Sequence, residues 1–403
     1  MINNGKSSDN KNYDKNNGKK IITTNEMITN KFQEYFKNKR INVDILKEMY
    51  LLKKKRIHSI SLFKIINFKM NKFLVLLLIA LASCQFDTER LMFDYFQKFI
   101  TKYEKNYQSM NEFLARYEVF KRNVFDVLSQ NPKTFKVGIT KFSDLTHQEF
   151  SKKYLNLNYD ALALANFEPT YVTVTNAAPS SYDWRNQGRV SGVKDQASCG
   201  SCWAFATVAN LEGLYYAKKK VMKTFSEQML VDCDTQDSGC NGGLMQYAFN
   251  WIKSNGGIMY EKDYPYTGTD GTCKSDKSKY ADFKVTGYKK LGSSTQTWSC
   301  VDEDQIKEFL YETGPLAIAL NADYLSSYTG GIVDYTSSKC PKSGINHAVT
   351  LVGYGTDASS SMDYWIVKNS WGKSWGESGY FRIRRGNGTC GVNCYITTAT
   401  VSF

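Results

Sequence analysis

The stretch "QASCGSCWAFA", residues 196–206, sets two cysteines three positions apart ahead of an apolar run. Such a pair can be half-cystines, a redox couple, zinc ligands or a structural cysteine beside a nucleophile. The other cysteines and the histidines narrow the choice. Cys199, Cys202, Cys233, Cys240, Cys273, Cys300, Cys340, Cys390 and Cys394 all follow residue 190. Nine is odd, so in an oxidising compartment one thiol is left over, either for an intermolecular partner or as a reactive group. A reactive thiol needs something to make it a thiolate. The chain has three histidines, His58, His147 and His347. The first two fall in segments read below as leader and removable region, which leaves His347, in "GINHAVTLVGYG", as the available base. Scarce histidine and the lack of a second C-x-x-C pair argue against a metal site. A thiol–disulfide oxidoreductase is the stronger rival. It needs a strand feeding the motif, and "DWRNQGRVSGVKDQ" ahead of the pair is loop-like.

These groups need rigid mounts. "SCWAFATVANLEGLYYA" spaces Phe205, Val208, Ala209, Leu211 and Tyr215 at helical intervals, with Cys202 at the mouth of the predicted helix. A helix N-terminus presents unpaired N–H groups and partial positive charge, which lowers a thiol's pKa. Cys202, not Cys199, therefore holds the reactive position. "HAVTLVGYG", "DYWIVKN" and "GYFRIRR" read as strands.

Charge and composition bound the class. The net charge is +13, of which residues 1–69 carry +10 and residues 178–403 only +1. The globular part has no electrostatic footprint for nucleic acid. Residues 1–69 are crowded with Asn and Lys and are read as either disordered or absent from the translated protein. "MNKFLVLLLIALASCQF" from Met70 reads as a signal peptide over 70–84, with Met70 as the initiator. The rival is a basic cytoplasmic stem with a signal anchor, against which the short apolar run argues.

Four motifs in order, "QASCGSCWAFA", "CNGGLM", "NHAVTLVGYG" and "YWIVKNSWGKSWGESGYFRI", resemble the papain-like cysteine proteases, in their cathepsin L-like branch. The resemblance runs from about residue 90 to the end. It implies an α+β, two-lobed papain-like fold, a helical lobe plus an antiparallel β-barrel-like lobe, preceded by a helical pro-region. It also implies Cys202 as nucleophile, His347 as base and later acid, Asn369 as the group orienting the imidazole, and Gln196 as an oxyanion donor. Trp371 and Trp375 would shield the Asn–His hydrogen bond. Gly242 and Gly243 would let an extended peptide lie against the backbone. Leu244, Met245, Ala319, Ile345 and, five on from Cys390, Tyr395 would line the pocket for the substrate's P2 side chain, beside Asn346. No acid stands among them, so an apolar or aromatic P2 residue is expected over arginine. The resemblance pairs Cys199–Cys240, Cys233–Cys273 and Cys340–Cys390. Cys300 and Cys394 depart from the common pattern, and oxidising conditions suggest a fourth bridge between them.

Upstream, "NEFLARYEVFKRNVFDVLSQN" has the spacing of an amphipathic helix. It matches the family's inhibitory pro-region through Glu112, Arg116, Phe120, Asn123, Val127 and Asn131. "GITKFSD" matches a second pro-region motif through Gly138, Phe142 and Asp144, with Thr140 replacing the usual Asn. The following stretch would run through the cleft in reverse and block it, and acid would loosen the clamp by protonating paired carboxylates. The domains expected are a pro-region over 85–177, with 161–175 as linker, and a peptidase over 178–403, with a glycosylation sequon at Asn387. The reading is a secreted or lysosomal cysteine endopeptidase made as an inactive zymogen and acting through a thioester. It needs no metal or cofactor, has protein and peptide substrates and its own pro-region as partners, binds no nucleic acid, spans no membrane when mature, and is a monomer. The alternatives are the oxidoreductase, a catalytically idle papain-like binding module, and peptide ligation by the same residues.

Overall fold

A computed structural model of the chain describes residues 88–157, 178–291 and 300–403. The leader, the signal-peptide stretch and the linker expected above lie outside the described residues. Among the described residues no helix is long and apolar enough to cross a membrane.

The chain divides into two compact units at Leu114 and Ala115. In the first, helix α1 (88–102) and the start of α2 (Met110–Ser129) gather aromatic rings. Phe96 meets Phe113 edge-on at 5.3 Å and stacks with Tyr107 at 6.0 Å. Ser109 accepts from the Glu112 amide, and the Glu112 carboxylate accepts from the Gln108 amide at 2.8 Å, so the helix start is capped locally.

In the second unit α2 continues to Ser129 and buries Phe120 and Val124. Strand β1 (Phe135–Val137) follows, then α3 (His147–Tyr154), which starts on a capping box between Thr146 and Glu149. From Ala178 onward come β2 (Tyr182–Asp183), α4 (Cys202–Lys219), α5 (Glu227–Cys233), α6 (Met245–Asn255), β3 (Lys284–Leu291) and α7 (Glu303–Thr313). The remaining strands are β4 (Leu316–Leu320), β5 (Tyr328–Val333), β6 (His347–Thr356), β7 (Asp363–Lys368), β8 (Tyr380–Arg384) and β9 (Tyr395–Ser402).

The strands pair in the order β1-β5-β8-β7-β6-β4-β9-β3, with β2 on β6. Two features differ from the wholly antiparallel lobe expected. β5 and β8 run parallel, Ile332 beside Arg382 and Val333 beside Ile383. The edge of β5 is taken by β1 from the N-terminal segment, with Phe135 opposite Gly331. An edge strand's unpaired N–H and C=O groups invite such an addition, and no hydrophobic pattern announces it.

Two apolar cores define two lobes. One surrounds α4 and holds Trp203, Phe225, Met229 and Phe249; the other lies between α7 and the sheet and holds Phe309, Leu310, Trp365 and Trp375. α4 is no surface helix with one wet face. Thr207, Asn210 and Glu212 are as buried as its apolar residues. Asn210 makes this tolerable by bonding the Pro315 carbonyl, the Thr398 hydroxyl and the Ala399 amide at 2.8–2.9 Å. Four disulfides join Cys199–Cys240, Cys233–Cys273, Cys300–Cys394 and Cys340–Cys390, the four pairs expected, and Cys202 is the unpaired cysteine among the described residues.

Candidate active site

Cys202 is the first residue of α4, and His347 opens β6. The helix packs on that strand, and the Ala348 N–H, next to His347, favours a thiolate at Cys202. Asn369 follows the last residue of β7, the neighbour of β6. Its Oδ1 lies 2.8 Å from His347 Nε2 and also accepts from the Ser370 amide at 2.8 Å. An oxygen that accepts a backbone N–H is fixed as an acceptor, so Nε2 carries the imidazole proton. Nδ1 is thereby left with its lone pair, and it makes no hydrogen bond of good geometry. Trp371 stacks on the imidazole at 4.7 Å, and Trp375 closes edge-on against Trp371 at the same distance.

The thiol differs from the sequence expectation. It is fully buried, and loss of solvent pushes its pKa up to about 11, against the lowering effect of the Ala348, Trp203, Cys202 and Asn156 N–H groups. Burial likewise pushes His347 down to about 4, opposed by Asn369 and the Tyr154 main chain. The helix mouth and its amides are present, but in this closed state desolvation outweighs them. Both groups are neutral across the physiological range.

Gln196 is fully buried with both ends of its amide used. Nε2 donates to the Cys199 carbonyl at 2.9 Å and points at the Tyr154 carbonyl at 3.4 Å; Oε1 accepts from the Ser370 hydroxyl at 2.7 Å. Ser370 was not singled out from sequence, although it lies inside the quoted "KNSWG".

The segment after α3 fills the space in front of these groups. The Leu157 amide donates to the Asn346 carbonyl at 3.1 Å, and Leu157 pairs in parallel with Gly243. Gly242, at φ +119°, lies so close that a β-carbon there would sit 2.3 Å from the Asn156 carbonyl. Leu157 shares one apolar cluster with Leu244, Met245, Ala319, Ile345 and Tyr395. Burial pushes the Tyr395 phenol well above its ordinary value, against the lowering effect of the Gln246 main chain in the first turn of α6. Asp237 also escaped sequence reasoning: its carboxylate accepts the Leu244 amide at 2.8 Å and lies directly beneath Gly243.

The motif residues upstream hold this segment in shape. Arg116 bonds the Glu149 carboxylate at 2.7 Å and the Asp144 carbonyl at 3.1 Å. Asn123 donates to the Ser143 and Leu145 carbonyls, and Phe120 is fully buried. Val127 is half-buried and Asn131 exposed. The Gly138 amide bonds the Ser327 carbonyl, and the Thr140 hydroxyl bonds that of Ser326 at 2.6 Å. Phe142, Phe150 and Tyr154 press their rings on Trp371, the first two at 5.3 Å. Lys141 reaches Asp195 at 2.6 Å.

Residues 178–400 match the model of the papain family cysteine proteases, and residues 96–150 match that of the cathepsin propeptide inhibitor domain. The chain is 42% identical over 327 residues to cysteine proteinase 15A of Pisum sativum, covering 76% of this chain and 86% of that protein. It is 38% identical to a viral cathepsin of Adoxophyes honmai nucleopolyhedrovirus, covering 80% and 97%. Its structure resembles digestive procathepsin L 3 of Tenebrio molitor, with a TM-score of 0.68, 34% identity and coverage of 77% of this chain and 99% of that one. The chain belongs to the papain family of cysteine proteases. It carries its propeptide inhibitor domain in the same polypeptide and is a zymogen. Asn156 and Leu157 lie against Gly242 and Gly243, and the Cys202 thiol and His347 imidazole are buried and neutral.

Proposed function

We propose that the chain is a cysteine endopeptidase of the secretory pathway, with Cys202 as nucleophile, His347 as general base and acid, Asn369 as orienter and Gln196 as oxyanion donor. The Cys202 proton passes to Nδ1 of His347. The sulfur attacks the scissile carbonyl, the amine leaves with that proton, and water drawn by the same imidazole hydrolyses the thioester. The single observation behind this reading is the hydrogen bond of His347 Nε2 to an Asn369 oxygen fixed as acceptor, which leaves Nδ1 with its lone pair, at the start of the strand on which the helix of the unpaired Cys202 packs.

An apolar P2 preference is supported by Leu157, which lies among Leu244, Met245, Ala319, Ile345 and Tyr395 while bonded to Asn346. Tyr395 fills the floor of that pocket and makes it shallow. Maturation is proposed near Ala178, and a glycan at the exposed Asn387. The test is to express the chain from Met70, acidify it and label it with a thiol-reactive peptide epoxide. The label is expected on Cys202 and lost in His347→Ala. Labelling of another cysteine, or full hydrolysis by Cys202→Ser, would overturn the reading.

A further inference from the structure

Ser201 is the N-cap of α4, where a serine ordinarily turns its hydroxyl back onto the amides of the first turn. Here the side chain makes no capping bond. Its Oγ lies 2.7 Å from the Tyr266 hydroxyl, which lies 2.8 Å from the Gln196 carbonyl. A carbonyl only accepts, so Tyr266 donates to Gln196 and accepts from Ser201, and the chain of protons has one direction. The amides of Ala204 and Phe205 are taken by the Ser201 carbonyl, at 2.9 and 3.2 Å. The two earlier amides, those of Cys202 and Trp203, receive no side-chain cap from Ser201 and favour a thiolate at Cys202.

Between Gln196 and Ser201 the chain is under tension. Ala197 holds φ +52°, a left-handed conformation that a residue with a β-carbon keeps only when its surroundings impose it. Tyr266 grips this loop at both ends, and its ring is fixed edge-on against Phe205 at 4.8 Å. Desolvation by burial keeps the phenol protonated, against the lowering effect of the Ser201 hydrogen bond. No sequence motif singled it out; it stands in "KDYPYTG".

We infer that Tyr266 is a positioning residue of the protease: by bonding Ser201 to Gln196 it holds the residue before the nucleophile and the oxyanion donor in register. It touches no reacting atom. The inference rests on Cys202 being the nucleophile and Gln196 an oxyanion donor.

The test uses full chain carrying Tyr266→Phe, activated and compared with wild type. Two quantities are read: the pH dependence of Cys202 alkylation by iodoacetamide, and kcat and KM for a peptide amide. The alkylation midpoint is expected to rise by about one pH unit, and kcat to fall about tenfold with KM within about twofold, short of the 10²–10³ lost on deleting an oxyanion donor outright. Ser201→Ala removes only a hydroxyl and is expected to move both readouts the same way, so it decides the matter if Tyr266→Phe folds poorly. An unmoved alkylation profile in the folded variants overturns the inference, whatever happens to kcat, because loose packing alone would leave the thiol's titration where it was. Cys202→Ser separates the two levels: if it still hydrolyses peptides, the assignment of the nucleophile fails and takes this inference with it.

Discussion

At the scale of single residues, His347 links the closed state to pH over a range in which Glu149 does not. Arg116 holds the Glu149 carboxyl at about 2, below its ordinary 4.5. A depressed carboxyl stabilises the folded pro-region above its free pKa and loses that contribution only as pH falls from 4.5 toward 2. Glu149 therefore does not loosen the clamp at pH 5 or 6. His347, at about 4 against an ordinary 6.5, binds fewer protons in the closed state than when released. Its contribution to the closed state is full above 6.5 and falls, by up to about 1.4 kcal/mol per pH unit, as pH drops toward 4. In Cys202→Ala, which cannot process itself, hydrogen-exchange protection of the 154–157 amides is expected to decline over that window. In Cys202→Ala/His347→Gln the decline is expected to flatten. Equal slopes in the two variants would remove His347 as the driver.

At the scale of elements, α4 is the mount on which the site depends, and it carries more polar burial than any surface helix tolerates. Asn210 is fully buried and ties α4 to the β9 residues Thr398 and Ala399 and to Pro315 ahead of β4. Asn210→Ala leaves an amide, a carbonyl and a hydroxyl without partners, and is expected to cost roughly 3 kcal/mol. Urea unfolding of the full chain reads this as a lowered midpoint; a shift under about 1 kcal/mol would mean that water or backbone movement had replaced the lost bonds. Nearby, Lys194 bridges Glu212 at 3.0 Å and Glu227 at 2.7 Å, and Lys368 reaches Ser191, itself bonded to Glu212. Lys368 immediately precedes Asn369, so α4 and the strand that delivers the orienting amide share one buried polar network.

At the scale of the whole zymogen, aromatic stacking carries the docking of the inhibitory segment onto the site. Phe142 is buried and packs edge-on against Trp371, the ring that covers His347. Phe142→Ala removes that contact and leaves a cavity, a change worth about 3 kcal/mol or more, which corresponds to docking weakened by at least about 10²-fold. The full chain carrying it is expected to react with an active-site epoxide at neutral pH before any processing. Latency equal to wild type would assign the docking instead to the β1–β5 pairing and to the Lys141–Asp195 ion pair.

How far the sequence reached follows from the range of each interaction. The helix carrying Cys202, the strand opening at His347, the Cys–His–Asn order and the odd cysteine are local spacing or parity, and composition and periodicity expose them. Gly242 and Gly243 could be marked as a place of close backbone approach, but nothing in their spacing says that Asn156 makes that approach. Ser370 acts through a hydrogen bond to a residue 174 positions away, Tyr266 through bonds to residues 70 and 65 away and Asp237 through one to a residue 7 away, so no periodic signal reports them. The sequence by itself determined which atoms are available for the chemistry. Only the tertiary structure decided their ionisation, because a pKa is set by how much water the surroundings remove. The helix mouth promised a lowered thiol pKa, and burial in the folded chain raised it.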